Sequence, residues 1–245
     1  MRQIKTVFLL TCFLMTGFAY AGPYTEQGVY GYIDPNNHCR PVNPTDPNAI
    51  LNPVFRGWAT TVASYTPAPG VSAIWTNTQN ALGPATGDEW DIVSLGDVNQ
   101  SQIENILPGQ ITLSFGDPCN PADPNHIRNV NGYDFAVFEN GFISDANSAS
   151  GSIKGQMFAE LGYVEVSSDG NHFARFPSVS LMDHNVGMYG TIEISNIFNL
   201  AGKHPNDGGV CSGTPFDLSE LTDHPLVVSG AVDINNISYV RIVDI

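Results

Sequence analysis

Residues 158–176 read FAELGYVEVSSDGNHFARF. Phe158 to Ser167 (FAELGYVEVS) reads as one strand, and Ser168-Asp169-Gly170-Asn171 is a hairpin turn signal. Phe173 to Phe176 supplies the returning strand. Working outward, Tyr133 to Phe138 (YDFAVF) and Gln110 to Phe115 (QITLSF) alternate as strands do. Arg56 to Tyr65, Asp91 to Leu95, Thr191 to Ile194, Val227-Val228 and Ile237 to Val243 add further short strands. Thr214-Pro215-Phe216-Asp217 has the spacing of an N-cap Thr and an N1 Pro opening a short helix that ends near Leu221. Ser101-Gln102-Ile103-Glu104 has capping-box spacing for one helical turn. Strands do not alternate with helices, and no 20–50-residue repeat recurs. The expected fold is all-β: a single β-sandwich of jelly-roll type with long loops and one or two short helices.

Composition agrees. The 245 residues contain 24 Gly and 17 Pro, and 42% are hydrophobic, enough for a core. Sixteen Asp stand against eight Glu, and Asp favours turns and caps over helix interiors. The formal net charge of −15 argues against nucleic acid, whose phosphates need a basic footprint, and against an anionic membrane surface.

Met1 to Ala21 reads as an export signal. Arg2 and Lys5 precede the apolar run Val7 to Phe18, and Ala19-Tyr20-Ala21 is a small-x-small cleavage site. The apolar run is too short to span a bilayer, and no later stretch is long enough. Removing 21 residues, with Arg2 and Lys5, leaves 224 residues, 7 basic groups against 24 acidic ones, and a net charge of −17. The expected organisation is a signal peptide at 1–21, an irregular Pro/Asn-rich lead-in at 22–54, and a β-sandwich domain at 55–245. The expected location is secreted or at the cell surface.

Cys39, Cys119 and Cys211 remain after cleavage, and an exported chain permits a disulfide. Cys39 and Cys119 both lie in Pro/Asn-rich loops, which favours that pair over the two alternatives. Gly209-Val210-Cys211-Ser212-Gly213 imitates a nucleophile elbow, but a loop precedes it where the motif requires a strand. The six histidines show no zinc spacing, and no Gly-x-Ser-x-Gly, P-loop or dinucleotide fingerprint occurs.

Several blocks together resemble a group of exported bacterial cell surface proteins that often carry a PEP-CTERM sorting tail. They include Ser64-Tyr65-Thr66-Pro67-Ala68-Pro69-Gly70 and Val93-Ser94-Leu95-Gly96-Asp97. The strongest is Tyr133-Asp134-Phe135-Ala136-Val137-Phe138-Glu139-Asn140-Gly141-Phe142. Phe158-Ala159-Glu160-Leu161, Val164 to Gly170 and Gly213 to Leu218 extend the match over roughly residues 57–244. The resemblance implies a secreted or surface-displayed β-sandwich stabilised by a metal. Members commonly continue past the last strand, whereas Asp244-Ile245 ends this sequence.

Strand alternation carries Tyr133, Phe135, Val137 and Glu139 on one face. A carboxylate that continues an apolar face needs a metal, an arginine or backbone N–H groups as partner. Asn140 beside it offers a neutral oxygen of the kind Ca²⁺ accepts. Glu160 and Glu165, five apart, fall on opposite faces of their strand. The expected calcium ligands are therefore Glu139, Asn140, Glu165 and Glu160, against the alternative of ion pairs from Glu139 and Glu165 to Arg175 or Arg241. For Asp217 helix capping suffices, and for Asp169 turn chemistry. The expected role is non-enzymatic, in binding or at the surface, with an extracellular glycan or surface matrix as partner. Trp75 and Trp90 are candidates for stacking on sugar rings. Alternatives are a carbohydrate-active enzyme with paired carboxylates, Glu139 and Glu160 first, and a purely structural surface component.

Overall fold

The computed structural model describes residues 22–98, 101–183, 185–187 and 189–245, with the side chain of Cys39 excepted. The expected signal peptide, Met1 to Ala21, lies outside the described residues. In chain order the strands are β1 (Val29–Tyr30), β2 (Tyr32–Asp34), β3 (Asn37–Pro41), β4 (Ile50–Leu51) and β5 (Thr61–Thr66). Then follow β6 (Gln110–Ser114), β7 (Phe135–Val137), β8 (Gly141–Ile143), β9 (Met157–Ala159) and β10 (Gly162–Ser167). The last are β11 (Ala174–Arg175), β12 (Val179–Ser180), β13 (Ile197–Phe198), β14 (Ser212–Phe216) and β15 (Tyr239–Asp244). One short helix, α1 (Pro225–Val228), and a few 3₁₀ turns complete the described secondary structure, so the protein is β-rich.

The principal sheet has five antiparallel strands in the order β11-β10-β15-β6-β5. Its period-2 pattern sorts the two faces. Val164, Ile242 and Ile111 form one cross-strand row, and Val166, Val240 and Leu113 the next. These residues enter the main core, where each fully buried Val or Ile contributes roughly 1.5–3 kcal/mol. On the other face Arg175, Glu165, Arg241 and Thr112 stand side by side.

A three-stranded sheet, β1-β14-β7, contributes to the same core through Phe216, Phe135 and Val137. Phe135 and Phe216 stack at 5.3 Å, and Phe176 meets both edge-on at 5.8 and 5.0 Å. Smaller sheets, β3-β2-β4, β12-β13 and β8-β9, lie outside these two. The β9 and β13 strands feed a second cluster of Met157, Ile192, Ile197 and Leu200. Among the described residues no helix is long and apolar enough to cross a membrane.

Several elements differ from the sequence expectation. Residues 22–54, read as irregular, contain four strands, and β1 pairs with β14. The run Phe158–Ser167 is broken at Glu160 into β9 and β10. Ser212–Phe216, part of which had helix-start spacing, is a buried strand. The 3₁₀ turn begins at Leu218 with Asp217 as its cap, whose side chain accepts from Ser219 N–H. Val227-Val228 belongs to α1 rather than a strand, because Pro225 pre-sets its first turn and the His224 ring accepts from Leu226 N–H. Residues 91–95 form no strand, and 101–104 form turns.

Candidate functional site

Three apolar runs end in a carboxylate, Ala136-Val137-Phe138-Glu139, Phe158-Ala159-Glu160 and Ile242-Val243-Asp244, and the loop Ser94-Leu95-Gly96-Asp97 supplies a fourth. The fold carries these four to one end of the principal sheet, where β10 and β6 begin and β15 finishes. Gly162 pairs with Asp244, which places Glu160, two residues earlier, beside the end of β15. Gly141 pairs with Ala159, so the Glu139-Asn140 corner sits next to Glu160. Asp244 N–H donates to Gly109 O at 2.9 Å, and Gly109 packs on Leu95 O close to Asp97. The loop at Ala201-Gly202 closes over this seam through reciprocal Gly162–Ala201 backbone bonds of 3.2 and 2.9 Å. Gly202, at φ +82°, is required there twice over. Its backbone is left-handed, and a Cβ would stand 1.9 Å from Glu160 O and 3.4 Å from Glu139 Cγ.

The carboxyls of Glu139, Glu160 and Asp244 are each raised, in part by a neighbouring acid. Burial, then the Glu160 charge, with a smaller push from Asp244, moves the Glu139 carboxyl up to about 8. The backbone N–H of Asn140 opposes this at 3.2 Å. Burial, then Asp97, then Glu160, raises Asp244 to about 7. Glu160 keeps an exposed edge, yet the protein around it and Asp97 push its carboxyl upward. No arginine or lysine among the described residues acts on Glu139, Glu160 or Asp244. Two oxygens at the seam are buried without a hydrogen-bond donor among the described residues: Asp244 Oδ2 and Asn140 Oδ1. Asn206, tied by its N–H to Gly141 O at 3.0 Å, has a third such oxygen, Oδ1.

Such a set of hard oxygen donors and uncompensated negative charge suits Ca²⁺, which takes six to eight oxygens. The donor types therefore fit the ion. As the side chains stand, no three His, Cys, Asp or Glu groups among the described residues are gathered into a metal site.

Of the sequence-expected ligands, the structure brings Glu139, Asn140 and Glu160 together and sets Glu165 apart. Glu165 faces away from the main core in the row opposite Arg175 and Arg241. Its Oε1 accepts from Arg175 Nε at 2.7 Å, and its Oε2 is held by Arg241. The two guanidiniums lie over the rings of Tyr163 and Phe173 at 4.3 and 3.7 Å. The arginine alternative thus describes Glu165, because direct cross-strand pairing aligns all three charges. Asp97 and Asp244 were not among the expected ligands. No local sequence pattern marks them, because distant segments bring them there through backbone pairing.

Cys119 is a free, exposed thiol, so the structure does not support the Cys39–Cys119 bridge. Cys211 is buried and free. Burial pushes its thiol up to about 12, and Sγ lies 3.5 Å from Ala85 O, an arrangement that keeps the proton on sulfur. Asp169 serves its turn, its carboxylate accepting from the N–H groups of Asn171 and His172 at 2.8 and 2.9 Å. Trp75 and Trp90 stack at 5.2 Å and 22°, with Trp90 66% exposed.

The chain matches no protein-family model and no curated protein sequence.

Proposed function

We propose that this is an exported, non-enzymatic protein, secreted or displayed at the cell surface, whose jelly-roll β-sandwich is locked by a calcium ion. One observation carries the calcium reading. Acids from four separate segments, Asp97, Glu139, Glu160 and Asp244, lie near one end of the principal sheet; among the described residues no arginine or lysine acts on Glu139, Glu160 or Asp244, and Asp244 Oδ2 has no donor. Four acids held this way oppose the fold at neutral pH, since like charges disfavour one another's ionisation. A divalent cation turns the same arrangement into attraction and ties the β6, β7–β8, β9–β10 and β15 segments together. Bound calcium would be held by these carboxylates and Asn140 Oδ1, and would supply charge neutralisation and cross-linking rather than reactivity.

Trp90, exposed and stacked on the half-buried Trp75, supports an extracellular glycan as the partner. An indole face stacks on apolar sugar faces, and amphipathic aromatics concentrate at recognition surfaces. The export reading rests on the basic, apolar and small-residue order of Met1 to Ala21.

The test is calorimetric titration of the exported protein with Ca²⁺ at pH 7.5, beside E139Q, D244N and E165Q. The expected result is saturable binding in the wild type and in E165Q, with affinity at least tenfold weaker in E139Q and D244N. Equal binding in all four proteins, or none in a cooperatively folded wild type, contradicts the site. Release of sugar from polysaccharides, lost in E139Q, would favour the paired-carboxylate enzyme instead.

A further inference from the structure

We propose that the fold contains a receptor for its own processed amino terminus: Ser195 and Glu193 hold the α-ammonium that cleavage after Ala21 creates at Gly22. The receptor stands on contacts of the described chain. Only the origin of the amine rests on the export reading.

The backbone nitrogen of Gly22 donates to Ser195 Oγ at 2.8 Å. That hydroxyl donates onward to Glu193 Oε1 at 2.9 Å, and Ser195 N–H donates to the same carboxylate oxygen at 3.3 Å. Two residues on, Tyr24 N–H donates to Ser195 O at 3.0 Å. The chain start is thus clamped on both sides of one serine in the 3₁₀ turn Ile194–Asn196. The clamp continues inward. The Tyr24 ring stacks on Phe198 at 5.0 Å, and buried Lys203 donates to Tyr24 O at 3.0 Å while pairing with Glu26.

The first position accepts only glycine. A Cβ at residue 22 would lie 2.1 Å from Ser195 O and 2.4 Å from Asn196 Oδ1. That exclusion has no use in a loose linker. It has one in a residue that must sit flat against a carbonyl with its nitrogen aimed at a hydroxyl–carboxylate pair. In the precursor that nitrogen is an amide with one hydrogen and no charge. Hydrolysis by an export-associated peptidase adds water across the Ala21–Gly22 bond. The Ala21 carbonyl carbon leaves with the leader as a carboxylate, and the Gly22 nitrogen becomes an ammonium with three donors. Glu193 makes no ion pair with a lysine or arginine among the described residues. Its charge reaches the new ammonium directly or through Ser195 Oγ, a charge-assisted arrangement stronger than the amide bond it replaces. Processing therefore tightens the fold it releases.

The experiment has two readouts. The intact mass of protein exported from the full precursor reports the natural start, expected at Gly22. Separately, a site-specific protease frees two chains from a fusion partner put in place of the leader, one starting at Gly22 and one at Ala21, each with Glu193 and with E193Q. The Gly22 chain is expected to melt about 2–4 °C above the Ala21 chain, and this gap is expected to vanish in E193Q. A gap of the same size in E193Q, or no gap with Glu193 present, overturns the receptor. A different natural start overturns the processing step while the melting comparison still decides the receptor.

Discussion

Glu139 and Glu165 are both glutamates on β-strand runs, and their surroundings give them opposite chemistry. Glu165 has an arginine on each neighbouring strand at the same register, so it is buried as an ion triad. Glu139 has carboxylates as neighbours and a carboxyl pushed up to about 8. Replacing Glu165 with Ala leaves two guanidiniums without their acceptor, and is expected to cost about 2–3 kcal/mol, less than a fully buried pair because both arginines reach solvent. Urea denaturation checks this, and the calcium response should persist in that variant. Glu26→Gln takes the charged partner from a lysine that is 1% exposed. The expected loss is about 3 kcal/mol, near the lower end for a broken buried pair. A loss below about 1 kcal/mol in the same titration would mean that Lys203 finds another acceptor.

At the scale of elements, the strands that were legible are those with clear alternation. Gln110–Ser114 and Phe135–Val137 lie within the runs read from sequence, Tyr239–Asp244 overlaps the expected Ile237–Val243 and ends one residue later, and the Ser168–Asn171 turn joins β10 to β11 as expected. The acidic seam was half legible. Glu139, Asn140 and Glu160 announced themselves as polar ends of apolar faces, whereas Asp97 and Asp244 reach the seam through long-range pairing that no local pattern encodes. The region 212–221 shows why local signals can mislead. Thr214-Pro215 has the spacing of a helix start, but Phe216 is fully buried against Phe135 and Phe176, and that burial outweighs a capping preference of about 1 kcal/mol. The helical turn is displaced to the next available cap, Asp217. Asp217→Ala is therefore expected to lower stability by about 1 kcal/mol, while Thr214→Val, which keeps the buried volume and removes a hydroxyl that has no partner among the described residues, is expected to cost nothing. Thermal melts of the two variants separate these assignments. A larger cap effect at Thr214 would mean that the helix starts where its spacing suggested.

For the whole molecule, two sheets share one core, and the ends of four chain segments share one acidic seam. With 24 acids against 9 basic residues, little positive charge is available to neutralise that seam. Glu139 and Asp244, with carboxyls raised to about 8 and about 7, bind protons in the folded state that the unfolded chain has released. Between about pH 4.5 and pH 8 the folded state thus holds more protons, and stability without metal must fall as pH rises through that window. At the proposed site calcium would compete with those protons, and its stabilisation would grow over the same range.

The most direct measurement is the melting temperature of the exported protein at pH 5.5 and pH 8, in EDTA and in millimolar Ca²⁺. The expected result is a lower Tm at pH 8 than at pH 5.5 in EDTA, restored or exceeded by Ca²⁺. At an ion concentration of about one hundred times Kd, the rise at pH 8 should be about 5–10 °C. A cooperative transition at pH 8 whose midpoint Ca²⁺ does not move would contradict the calcium seam, and with it the reading of Asp97, Glu139, Glu160 and Asp244 as one site.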